Sequence, residues 1–110
     1  MRGQAEWPTP TSDTQLMLPT YMNKRILIVD DSFYMRTMLK NMLTDAGYDV
    51  VGEAANGAQA LEMATSTSPD LITLDVILPD NTGLDVLKSL RQLQPSAKVV
   101  MCSAVGRRLS

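Results

Sequence analysis

Short apolar runs punctuate the chain at residues 26–29 ("ILIV"), 49–54 ("DVVGEA"), 71–74 ("LITL") and 98–102 ("KVVMC"). The first and third are nearly continuous in apolar residues, the pattern of strands covered on both faces. The second is a weaker strand, and the fourth reads as an interior strand. Between them the apolar positions change period. Met35, Met38, Leu39, Met42 and Leu43 recur at helical spacing, and Gly47 stops that helix as a C-terminal cap. After the Asn56-Gly57 turn, Ala60, Leu61 and Ala64 mark a second helix, broken by "TSTSPD". Leu84, Leu87 and Leu90, joined by Val86 and Leu93, mark a third helix ending before Pro95. The order β-α-β-α-β-α-β requires right-handed crossovers and a mostly parallel sheet, an α/β fold.

The first 24 residues lack such a pattern. Pro8, Pro10 and Pro19 lie among Thr, Ser and Gln, so this segment reads as a flexible extension preceding a domain at 25–110. Its one apolar patch, "QLMLPTYM", is suited to docking on the domain or on another chain. No run is long enough to span a membrane, and the N-terminus lacks the apolar stretch of a signal peptide, so a cytoplasmic location is expected.

Composition narrows the chemistry. A chain of 110 residues has room for one domain, and eight methionines suit adaptable core filling. The formal net charge of −2 leaves no basic excess for binding nucleic acid. The single cysteine, Cys102, can form neither an internal disulfide nor a zinc site and reads as core packing. The absence of histidine excludes mechanisms that need a histidine base, nucleophile or metal ligand within this chain.

In an open parallel sheet, sites form at the carboxyl ends of strands. Here the first strand ends in Asp30-Asp31, the third in Asp75 and the fourth in Ser103-Ala104. Each has a plain structural reading. Asp31 or Ser32 suits a helix cap, Asp75 leads into the turn before Pro79, and Ser103 is an ordinary strand-end hydroxyl. Their joint occurrence at strand ends points instead to a shared site. Clustered carboxylates call for a cation, and an oxygen-only ligand set suits Mg²⁺. A carboxylate beside such an ion is a competent nucleophile toward phosphorus, and a nearby hydroxyl can hydrogen-bond the product.

With "RILIVDDSFYMRTMLKNML", "AGYDVVGEAANGAQALE", "PDLITLDVILPDNTGLDVLKSLR" and "AKVVMCSA", the sequence resembles the receiver domain of two-component response regulators, near the single-domain chemotaxis regulators. The resemblance runs over about residues 24–106. It implies a flavodoxin-like, doubly wound parallel sheet with Asp75 as phosphoacceptor. It also implies Mg²⁺ held by Asp31 directly, Asp30 through water, Asp75 and the Ile77 backbone carbonyl. Ser103 would be the switch hydroxyl beside the small Ala104, and Pro79 and Gly83 would shape the loop after the phosphoacceptor. The implied phosphodonor is a partner histidine kinase, and self-phosphotransfer rather than enzymatic turnover is expected. Ile77 is apolar where many family members carry a polar group able to orient water, so slow self-dephosphorylation is expected.

The family pattern continues with a fourth helix, a fifth strand ending in a lysine, and a fifth helix. This sequence has no counterpart of them before Ser110, and Lys24, Lys40, Lys88 and Lys98 do not match that lysine. The resemblance thus implies four strands and three helices, impaired phosphorylation, and a fourth-strand edge open to homo-oligomerisation. The alternative function is a non-switching receiver that serves as a self-association or protein-interaction module. A phosphatase of the haloacid dehalogenase type is disfavoured, because its second acid would fall at Ile77 or Ser32.

Overall fold

The computed structural model describes residues 24–102, so the N-terminal segment with "QLMLPTYM" and the expected switch residues Ser103 and Ala104 lie outside the described residues. Strand and helix alternate as β1 (Arg25–Val29), α1 (Phe33–Asp45), β2 (Asp49–Ala54), α2 (Gly57–Thr67), β3 (Leu71–Asp75), α3 (Gly83–Leu93) and β4 (Lys98–Cys102). The strands form one parallel sheet in the order β2-β1-β3-β4, which is the expected doubly wound arrangement of four strands and three helices. Among the described residues, no helix is long and apolar enough to cross a membrane.

Alternate positions of β1 and β3 build the core, because successive side chains of a strand point to opposite faces. Leu27, Val29, Ile72 and Leu74 meet Ala60 and Ala64 of α2 and Val86 and Leu90 of α3 in one buried cluster. Each large side chain buried there contributes about 1.5–3 kcal/mol. The alanines of α2 let that helix approach the sheet closely. α1 buries no residue fully, although Ile26 and Ile28 of β1 are themselves buried.

Three sequence expectations are refined. α2 does not break at the start of "TSTSPD" but runs through Thr67, where Thr65, Ser66 and Thr67 hydroxyls donate to the Leu61 and Met63 carbonyls. That bonding lets short polar side chains persist in a last helical turn until Ser68 adopts a left-handed conformation, φ 46°. The described methionines fill no core position. Met38 and Met42 are exposed, and Met63 and Met101 only pack against its margin. Leu84 and Leu93 are also exposed, so only part of the leucine pattern in α3 faces inward. Gly47 ends α1 as expected. Its φ of 98° lets the Gly47 and Tyr48 amides donate back to the Thr44 and Leu43 carbonyls, a closure a side chain at Gly47 would strain.

Candidate functional site

The register aligns the carboxyl ends of β1, β3 and β4: Val29 pairs with Leu74, and Asp75 pairs with Cys102. Asp30 extends the ladder one step, its N–H donating to the Ala54 carbonyl at 3.0 Å. Ser32, not Asp31, caps α1, its Oγ accepting the Met35 N–H at 3.2 Å. Asp30 Oδ1 accepts the Ser32 N–H at 2.9 Å. The capping role is therefore filled without Asp31, which stays exposed beside the buried Asp30. Arg36 braces this turn, donating from Nη1 to the Asp30 carbonyl at 2.7 Å and from Nε to Glu53 at 3.1 Å. Lys40 adds a longer ion pair to Glu53 at 3.6 Å.

Asp75 ends β3 with only 6% of its surface exposed. The Val76 N–H donates to the Cys102 carbonyl at 3.1 Å, and the Ile77 N–H donates to Asp75 Oδ1 at 3.3 Å. The loop then folds back tightly. Gly83 donates to the Val76 carbonyl at 2.6 Å, and a Cβ on Gly83 would lie 2.5 Å from the Asp75 carbonyl oxygen. Glycine is what permits α3 to start against the backbone of the acid.

Carboxylate oxygens of Asp30, Asp31 and Asp75 all lie within 4.8 Å of one another. Burial pushes the Asp75 pKa up, and the charges of Asp30 and Asp31 push it further, against the lowering effect of the Ile77 and Val76 amides. Among the described residues no ion pair relieves this crowding. The residues present therefore fit a hard divalent cation: the donors are oxygens, and the exposed side at Asp31 leaves room for retained waters, as Mg²⁺ prefers.

Residues 26–108 match the family described as response regulator receiver domain. The chain belongs to that family. The receiver domain is 46% identical over 87 residues to the chemotaxis protein CheY of Thermotoga maritima, covering 79% of this chain and 72% of that protein. The crystal structure of the response regulator domain of Thermotoga maritima CheB superposes with a TM-score of 0.70 at 36% identity, over 76% of this chain and 62% of that one. The response regulator TrrA of Thermotoga maritima, solved in complex with Mg²⁺-BeF, gives a TM-score of 0.70 at 37% identity, over 76% of this chain and 72% of that chain.

Two features of the receiver domain near the site were not foreseen from sequence. Asp80 accepts the Gly57 N–H at 2.7 Å and the Ala58 N–H at 3.0 Å, and these bonds hold its pKa below the ordinary carboxylate range. Thr73, the one polar residue in "LITL", is buried with its Oγ1 unpartnered among the described residues. The Thr73 break in the apolar run was a visible signal. The Asp80 bonds, formed to residues 22 and 23 positions earlier, had no local one.

Proposed function

We propose that this receiver domain accepts a phosphoryl group on Asp75 from a partner histidine kinase, with Mg²⁺ held by Asp31, Asp75 and the Ile77 carbonyl directly and by Asp30 through water. The observation that carries this reading is the convergence of three carboxylates around a buried Asp75 whose charge is disfavoured without a counter-ion. When bound, Mg²⁺ would neutralise charge on the transferring group. The chain's own residues would do the rest. Asp75 presents one oxygen as nucleophile, and the Ile77 N–H on Oδ1 fixes the rotation of its carboxylate. Attack forms an O–P bond as the P–N bond to the donor histidine breaks. Ser103 follows Cys102, the register partner of Asp75, which supports its assignment as the switch hydroxyl toward the product.

Incubation with acetyl phosphate and Mg²⁺, followed by intact-mass measurement, tests the proposal. One added phosphoryl mass, lost in Asp75→Asn, is expected. Ile77 is 57% exposed at the site mouth and has no polar group to orient water, so the adduct should decay slowly. No adduct would favour the alternative, a non-switching interaction module.

A homo-oligomer through β4 is the second part of the proposal. Among the described strands β4 lies at the sheet edge, and its Val100 is 47% exposed. Sedimentation velocity should show a species larger than the monomer; a single monomeric boundary would exclude it.

A further inference from the structure

The loop of residues 76–82 leaves β3 past Ile77, whose N–H donates to Asp75 Oδ1, and returns at α3. Two of its restraints are internal or adjacent: the antiparallel bridge between Ile77 and Thr82, and the Gly83 N–H on the Val76 carbonyl. Asp80 reaches farther, with both carboxylate oxygens on the first two amides of α2, whereas the Thr82 hydroxyl only caps the adjacent α3. Those amides lie at the positive end of the helix, where a carboxylate makes charge-assisted hydrogen bonds.

The start of α2 is arranged so that Asp80 is needed there. Asn56 caps the helix by accepting the Gln59 N–H at 2.8 Å, and its carbonyl accepts the Ala60 N–H at 3.0 Å. That leaves the Gly57 and Ala58 amides for Asp80. A Cβ on Gly57 would sit 2.9 Å from Val86 Cγ2 and 3.2 Å from Asp80 Oδ1, so the absence of a side chain is what lets loop, α2 and α3 meet.

From this geometry we propose that Asp80 is a positioning residue for the metal site, tying the Ile77 peptide to α2 so that it is set correctly against Asp75. The inference rests on the reading that the three acids bind Mg²⁺. The hydrogen bonds of the Asp80 carboxylate go to Gly57 and Ala58 rather than to the three acids. It acts through the peptide whose N–H holds Asp75 Oδ1 and whose carbonyl is the proposed ligand. Releasing the tie frees that peptide, so the metal is held less well even when the domain stays folded.

The test is Mg²⁺ titration of the full chain by isothermal calorimetry, with melting temperatures measured in parallel. Asp80→Ala is expected to weaken Mg²⁺ binding about tenfold, the scale of losing a partner that orients a metal ligand. Asp80→Asn keeps one acceptor and should weaken it less; it also carries the test if Asp80→Ala does not fold. Asn56→Ala removes the helix cap without touching the loop, so it should lower the melting temperature and leave Mg²⁺ affinity intact. In metal-free protein, the Ile77 amide resonance should move in the Asp80 variants and not in Asn56→Ala. Unchanged affinity in the Asp80 variants, beside a parent chain that binds Mg²⁺, would overturn this inference alone. A parent chain that binds no Mg²⁺ would overturn the metal-site reading and the inference with it.

Discussion

Asp75 sits in a place that resists its charge, and the sign of that effect is measurable. Its pKa lies above the ordinary value, first through burial and then through Asp30 and Asp31. The folded state therefore holds the proton more tightly than the unfolded chain, and stability falls as pH rises from the ordinary carboxylate range through the raised value. Asp75→Asn removes that penalty. In the absence of Mg²⁺ its melting temperature at neutral pH should exceed the parent's, and the gap should close below the ordinary carboxylate range. Added Mg²⁺ should raise the parent's melting temperature more than the variant's. Asp80 has the opposite sign: its lowered pKa contributes stability that is present at neutral pH and lost as pH falls through that lowered value. That the acids at 30, 31 and 75 come together was legible in the sequence because each lies at the end of a strand, and parallel strands deliver their ends to one edge. The choice between Asp31 and Ser32 as cap was not, since both residue types accept the same bond.

At the scale of elements, the sequence pattern located each of the described strands and helices, but not how deeply each apolar residue sits. Leu84 and Leu90 belong to one leucine pattern in α3, yet Leu84 is 61% exposed and Leu90 is 1% exposed. Leu90→Ala should cost about 2–5 kcal/mol, and Leu84→Ala less than about 0.5 kcal/mol, by urea unfolding of the full chain. Equal costs would mean that the third helix sits rotated from the orientation described. The end of α2 shows a second limit. Serine and threonine are turn signals in a sequence, but in Thr65–Thr67 the hydroxyls satisfy the preceding carbonyls and the helix continues. The methionines of α1 show a third: helical spacing is the same whether a stripe is covered or left facing outward, as Met38 and Met42 are.

For the whole molecule, alternation of buried strands with helical stretches was enough to fix a parallel α/β sheet, because connection handedness leaves few other topologies. What it could not reveal is how unevenly the two sheet faces are secured. Leu27, Val29, Ile72 and Leu74 are locked against α2 and α3, whereas α1 rests on the other face without one fully buried residue. The consequence is a difference in time rather than in shape. Native-state hydrogen exchange should find α1 amides opening through local fluctuations, while those of β1 and β3 wait for global unfolding. Ser32, which caps α1, also donates its N–H to Asp30. Each fraying event at that end of α1 therefore loosens one wall of the acidic edge, and the edge is rebuilt on the clock of a single helix.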